Sequence, residues 1–321
     1  MWRWKVAIFI CAVFHCYGSQ ASSYTFALLA KSINDNNFQE AWRGCRESAA
    51  LNGNDCILIG PSGSANPREQ LQALKSGLEQ HSIDALAVSV THSALLANFT
   101  KQLNIPIFSF DSPFSKRYAS AAQAYIGVDN HQFGKKLGML AQQLRPNGGS
   151  LCIMSAENDP NLSLRVQGIR AQLSGAAHWP ENKRLTDNSG WTESTRCPWD
   201  SGDSVKRSIR QLETTLTHIR PDLFISVGHW PVLDTQLLKS SLKKVLNAAS
   251  NRRTILLAAT GTPSPDQIAL LNEGIFDGFV SIDFYTMGRQ AAHVMSESIK
   301  KGTSSAHEMR PPLTVYTKIT K

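Results

Sequence analysis

An α/β chain of two similar lobes, each a parallel sheet flanked by helices, is the fold class this sequence predicts. Three observations lead there. Short apolar runs alternate with stretches of helical spacing along most of the chain, the connections between them are short, and the layout before residue 130 resembles the layout after it. Strands and helices that alternate across short loops argue parallel pairing. With 321 residues, the chain is long enough for two separate cores.

The first 21 residues stand apart. Arg3 and Lys5 precede an apolar stretch, residues 6–14, that is too short to span a bilayer. Ser19 and Ala21 then place small residues at the −3 and −1 positions of a cleavage site after Ala21. That is the pattern of a secretory signal peptide, so the mature chain is expected to be exported to the periplasm. No other stretch is apolar enough to cross a membrane. The net charge is +8, or +6 without Arg3 and Lys5, and the basic residues lie dispersed in pairs such as Lys116-Arg117 and Lys243-Lys244. Nucleic acid would call for a clustered basic stripe with interleaved aromatics, so it is excluded as a partner.

The mature part opens on a strand over residues 24–30, an asparagine-rich loop and a helix carrying Trp42 and Cys45. Cys56-Ile-Leu-Ile is the next strand, Gly60-Pro-Ser-Gly a breaker-rich loop, and residues 68–80 a helix. Strands follow at 85–90, 105–110 and 124–128, with a helix at 93–103. A second run begins with a helix over 132–144, a strand over 150–155 and a helix over 164–173. Residues 176–204 are irregular and read as one strand plus a long loop. Helices over 204–219, 232–248, 265–272 and 287–300 then alternate with strands at 223–227, 254–259, 278–282 and 313–319.

Four cysteines lie in the mature chain, and an even count in an exported protein favours disulfides. Cys45 sits on the first helix and Cys56 opens the next strand across a Gly-Asn turn, so Cys45–Cys56 is the local pair and Cys152–Cys197 the other. Metal ligation is the rival, but no Cys-x-x-Cys or His-x-x-x-His accompanies them, and neither a metal nor a cofactor is expected. Catalysis finds little support. Gly60-Pro-Ser-Gly misses the Gly-x-Ser-x-Gly spacing, Gly261-Thr-Pro-Ser-Pro lacks the lysine of a phosphate loop, and the nine histidines form no motif. His92 and His229 follow strands and are placed to face a cleft. The chain is not expected to be an enzyme.

What stands out is a set of polar and aromatic residues at strand ends. Asn36 and Phe38 fall in the first loop, and Asp111 and the pair Asp129-Asn130 follow strands. Asn161 and Arg165 open a helix, His229-Trp230 follow another strand, and Asp283 closes the last of the series. In open parallel sheets, ligands sit beyond the carboxyl ends of strands. Carboxylate, amide and guanidinium groups suit the hydroxyls of a polyol, and an aromatic face suits the C–H side of a sugar. Asp129 and Asn130 serve equally well as helix caps, and Trp42 reads as core.

Five stretches in order carry a family likeness: Asn36-Asn-Phe38 with Trp42-Arg-Gly44, Asn104-Ile-Pro-Ile-Phe-Ser-Phe-Asp111, Tyr125-Ile-Gly-Val-Asp129-Asn130 with Gly134, Arg165-Val-Gln-Gly168-Ile, and Asp283-Phe-Tyr-Thr-Met-Gly288. From Tyr24 onward the chain resembles a type I periplasmic binding protein of the ribose-binding kind. The resemblance implies a sugar pocket lined by Asn36, Phe38, Asp111 and Arg165, and a three-segment hinge near Asp129, Ile282 and Pro311. It divides the chain into lobe 1, residues 24–128 plus 283–311, and lobe 2, residues 129–282 plus 312–321.

It further implies a monomer that hands a sugar-like small molecule to an inner-membrane ABC permease. The alternative is a ligand-sensing partner of a membrane histidine kinase or chemoreceptor. Asn161, Trp230 and Asp283 complete the expected ligand set. Gln39 stands where the family has a second aromatic, Gly228-His229-Trp230 where it has Asn-Asp, Thr260 where it has Asp, and Ile282 where it has the hinge Gln. With these departures the expected ligand is not ribose but a larger or less polar polyol, sugar or sugar-derived signal.

Overall fold

The computed structural model describes residues 23–63, 65–157, 159–248, 254–302 and 309–318. The expected signal peptide, residues 1–21, and the last residue of the expected final strand, 319, lie outside the described residues. The first sheet carries β1 (Thr25–Leu29), β2 (Asp55–Ile59), β3 (Ala85–Val88), β4 (Ile107–Phe110) and β5 (Tyr125–Ile126) in the order β2-β1-β3-β4-β5. All of its pairings are parallel. β3 and β4 are buried along their whole length, because helices cover both faces of the sheet.

The second sheet carries β6 (Gly149–Ser155), β7 (Trp191–Glu193), β8 (Trp199–Asp200), β9 (Leu223–Ser226), β10 (Ile255–Thr260), β11 (Gly278–Ile282) and β12 (Leu313–Thr317). Its order is β12-β11-β10-β9-β6-β7, with β8 also paired to β6. One pairing departs from the expected parallel sheet: β12 runs antiparallel to β11. It reaches that edge from the opposite lobe, and it needs no crossover helix of its own.

The helices are α1 (Asn36–Ala50), α2 (Pro67–Gln80), α3 (Ser93–Thr100), α4 (Asn130–Leu144), α5 (Pro160–Ser174), α6 (Val205–Thr214), the short α7 (Trp230–Leu233), α8 (Thr235–Ala248), α9 (Pro265–Asn272) and α10 (Phe284–Lys301). Their starts follow capping chemistry. Asp35, Asn66, Asp129, Asp159, Ser204, Ser264 and Asp283 each accept a hydrogen bond from the first turn of the following helix. Three local readings change. The helix expected over 232–248 breaks at Asp234 into α7 and α8, α6 ends in a π turn over Thr215–Ile219, and the irregular stretch before α6 holds two short strands rather than one.

The chain passes between the lobes three times. It leaves the first sheet after β5, returns after β11 so that α10 packs on α1, and crosses again so that β12 joins the second sheet. Each lobe is closed by one intimate helix pair, α1 with α10 and α4 with α5. Glycines make both pairs possible. A Cβ on Gly288 would overlap the Ala41 carbonyl oxygen and one on Gly44 that of Tyr285. Likewise, one on Gly134 would overlap the Arg165 carbonyl oxygen and one on Gly168 that of His131. These four glycines come from the stretches that carried the family likeness, so part of that likeness records helix packing. The disulfides join Cys45 to Cys56 and Cys152 to Cys197, closing separations of 11 and 45 residues. By chain entropy such links contribute about 3 and about 4 kcal/mol.

Gly288→Ala forces α10 away from α1 and is expected to cost about 1–3 kcal/mol, read as a lowered midpoint in urea denaturation. An unchanged midpoint would show that the two backbones do not meet there.

Candidate ligand-binding site

The carboxyl ends of both sheets open onto one cleft of about 660 Å³. Asn36, Phe38, Asp111, Asn161, Arg165 and Trp230 all line it. Asp283, the seventh residue expected there, is turned away. Its carboxylate accepts from the Thr286 N–H and the Thr286 hydroxyl at the start of α10, so it caps that helix rather than facing the cleft. The neighbouring Ile282 and Phe284 reach the wall instead.

On the first lobe, Phe38 forms an aromatic floor, packed edge-on against Phe110 at 5.9 Å and Phe284 at 6.2 Å. Asp111 follows β4 in a left-handed conformation with φ 58°, a region that aspartate tolerates better than most residues. Several bonds hold it there. Its N–H donates to the Ile126 carbonyl, its own carbonyl accepts from the Tyr125 hydroxyl at 2.8 Å, and its carboxylate accepts from the Ser89 hydroxyl at 2.7 Å. Such over-determined strain is typical of functional positions. Gln39 takes no part in the cleft, because its amide donates to the Ile33 carbonyl within its own loop.

On the second lobe, Arg165 is buried. Its Nε donates to Asn130 Oδ1 at 2.8 Å, Nη1 donates to the Val227 carbonyl at 2.8 Å, and the guanidinium lies 4.4 Å from the centre of the Phe133 ring. Two of its five N–H donors are thereby used, leaving the rest for a ligand. Burial holds its pKa below the ordinary arginine value, against the pull of Asp111 and Asp159. Asp129 caps α4 and pairs with Arg310 at 2.9 Å, while Asn130 orients Arg165; neither lines the cleft. His92 caps α3, whereas His229 is on the wall.

Direct bonds cross the cleft. The Asn161 amide donates to the Asp111 carbonyl at 3.1 Å and to the Ser112 hydroxyl at 2.7 Å, which leaves only its oxygen for a ligand. Asn37 Nδ2 lies 2.8 Å from His229 Nδ1, and His229 Nε2 lies 3.7 Å from Asp35. Lys31, on the loop after β1, bridges Asp111 at 3.6 Å and Asp159 at 3.4 Å. Lys31, Asp159 and Asp203 carry much of the charge here and were not singled out from the sequence. The readable signals were position alone: Lys31 follows a strand, and Asp159 precedes a proline at the first helical position, the mark of an N-cap.

A family model described as a periplasmic binding protein domain matches residues 26–303. Among solved structures, a glucose-galactose binding protein, GanP, from Geobacillus stearothermophilus is similar at 19% identity with a TM-score of 0.74, over 92% of this chain and 98% of that one. An ABC transporter solute-binding protein from Burkholderia graminis in complex with D-arabinose is similar at 21% identity and TM-score 0.72, over 92% and 95% of the two chains. A complex titled XylFII-LytSN gives 13% identity and TM-score 0.70, over 93% and 99%. At these identities the shared feature is the fold. No sequence match is found among curated proteins.

The bridge makes an acid-sensitive contact. Burial alone would raise the Asp159 pKa, but Lys31, Arg165 and the Asn161 N–H outweigh it and hold the carboxyl below its ordinary 3.8. A depressed carboxylate stabilises the fold above its unfolded pKa, and that stability is lost as pH falls through the folded value. Lys31→Met is therefore expected to lower the melting temperature at pH 7. The gap to the unaltered protein should close as the pH falls below 3.8; a gap independent of pH would remove Asp159 as the partner.

Proposed function

Because the chain belongs to the periplasmic binding protein family, we propose that it captures a sugar-like small molecule between its two lobes and delivers it to an inner-membrane ABC permease. It acts as an exported monomer that binds and releases its ligand without altering it. One observation carries the reading: six residues chosen from the sequence, on both lobes, converge on a single cleft at the carboxyl ends of both sheets. Small-molecule sites occur preferentially at such junctions.

Each side supplies part of what a polyol needs. Phe38 gives an apolar face, Asp111 accepts hydroxyl protons, and Arg165 donates to hydroxyl or ring oxygens. Trp230, buried at the start of α7 over Gly228, stands where the family has a polar pair, and this narrows the cleft to a ligand with one less polar edge. The lobes move as residues 24–128 plus 283–311 against 129–282 plus 312–321. Ligand bound to both sides favours the closed arrangement over the open one by its differential affinity, and the closed surface is what a membrane partner reads.

Calorimetry with a panel of pentoses, hexoses and polyols tests this. At least one member should bind, and Asp111→Asn, which suits a positive φ, should weaken it about 10–100-fold, the worth of a charge-assisted hydrogen bond. Unchanged affinity in that variant would remove Asp111 from the site.

A further inference from the structure

The cleft is acidic although the chain is basic. Two cations, Lys31 and Arg165, face five carboxylates, those of Asp35, Asp111, Glu157, Asp159 and Asp203, on a chain of net charge +8. Three of the five are accounted for. Lys31 pairs with Asp111 and Asp159, and Asp35 caps α1 while facing His229. Neither Glu157 nor Asp203 lies within ion-pair distance of a described cation, although Asp203 feels the charge of Lys31 and accepts a hydrogen bond from the Trp230 side chain. They reach the mouth from the loops after β6 and β8, which are paired strands, and the Glu157 N–H donates to Asp200 Oδ1 at 3.0 Å, tying the two loops together.

We propose that the ligand is a polyol bearing a protonated amine, with its oxygens on Arg165 and its ammonium on Asp203 and Glu157 at the cleft mouth. The inference rests on the reading of the cleft as a sugar-like site and names the class of ligand within it. A neutral sugar can donate hydroxyls to these carboxylates but leaves their charge without a counter-ion. An anionic sugar would meet them as like charges, which disfavours it. A bare metal ion is disfavoured by Arg165 in the same cavity, and the described residues hold no cluster of ligands for one.

Two features of Asp203 fit a receiving group. The residue is exposed at the mouth, where an ammonium arrives with part of its hydration kept. Partial desolvation, with the like charge of Asp159 adding to it, pushes its carboxyl above the ordinary range despite Lys31 and Trp230. A cation placed there relieves that field. The backbone at Asp203 is left-handed, φ 53°, so asparagine can replace it without disturbing the loop.

The test is calorimetry at pH 7 and low salt with D-glucosamine, D-galactosamine and an amino-inositol. Each is compared with its neutral parent and, for the two sugars, with the N-acetylated form. At least one amine should bind about tenfold or more tighter than its parent, and 0.5 M salt should erode the difference. Asp203→Asn combined with Glu157→Gln should abolish the preference, so that amine and parent bind alike. Neutral or acetylated forms binding as tightly as the amine would overturn this inference and leave the sugar-like reading standing. A preference that survives in the double variant would overturn the assignment to these two carboxylates. Silence from every compound, with a folded protein verified by its melting transition, would sink both readings.

Discussion

The contact on which the cleft depends is backbone against backbone, where Gly134 of α4 lies on the Arg165 carbonyl of α5 and Gly168 of α5 lies on the His131 carbonyl of α4. Because no side chain separates the helices, their relative position has little freedom, and protein interiors transmit such a constraint rather than absorb it. The consequence is chemical. Asn130, on the first turn of α4, comes within 2.8 Å of Arg165 Nε, and the guanidinium is held 4.4 Å from the centre of the Phe133 ring. A long side chain with high rotamer entropy is thus ordered before any ligand arrives, which lowers the cost of binding one. The first lobe has the same device in α1 and α10, and there it places Phe284 against Phe38 to form the cleft floor.

Arg165 so buried must be answered by negative charge. A guanidinium taken out of water costs several kcal/mol unless paired and hydrogen-bonded. Asp111 and Asp159 supply that charge from opposite lobes, and Lys31 then balances the excess between them. The network therefore adds little net stability to either lobe alone. Its value lies in geometry, because the charges balance only when the lobes meet in one register, with Asn161 donating to the Asp111 carbonyl across the gap. At the mouth, Glu157 stays outside this balance, and Asp203 joins it only through the charges of Lys31 and Asp159.

Strand and helix order was legible from apolar runs and caps because those signals are local. The strand at β12 was legible too, but its antiparallel direction was not, since its partner is chosen by a chain crossing between lobes rather than by its own residues. The same division holds at the site. Asn36, Phe38, Asp111, Asn161, Arg165 and Trp230 sit at strand ends or helix starts, where position along the chain predicts position in space. Asp283 shows the limit of that rule. An aspartate between a strand and a helix can face the cleft or cap the helix, and the threonine three residues on draws it into the cap. Lys31 and Asp203 escaped notice because their role exists only through partners distant in sequence.

The departures from the ribose-binding pattern now have separate physical meanings. Gln39 does not replace an aromatic contact with a polar one, because its amide is spent on the Ile33 carbonyl and leaves the cleft altogether. That loop consequently offers Phe38 as its aromatic surface and keeps Asn37 free to reach His229 on the other lobe. Where the family has Asn-Asp, Gly228-His229-Trp230 divides the work: Gly228 makes room for the indole, His229 meets the first lobe, and Trp230 fills the wall. In the proposed site this leaves polar recognition to Arg165 within and the carboxylates at the mouth. A ligand satisfying both must be polar at two ends with an apolar edge between them, a shape that a symmetric neutral pentose does not have.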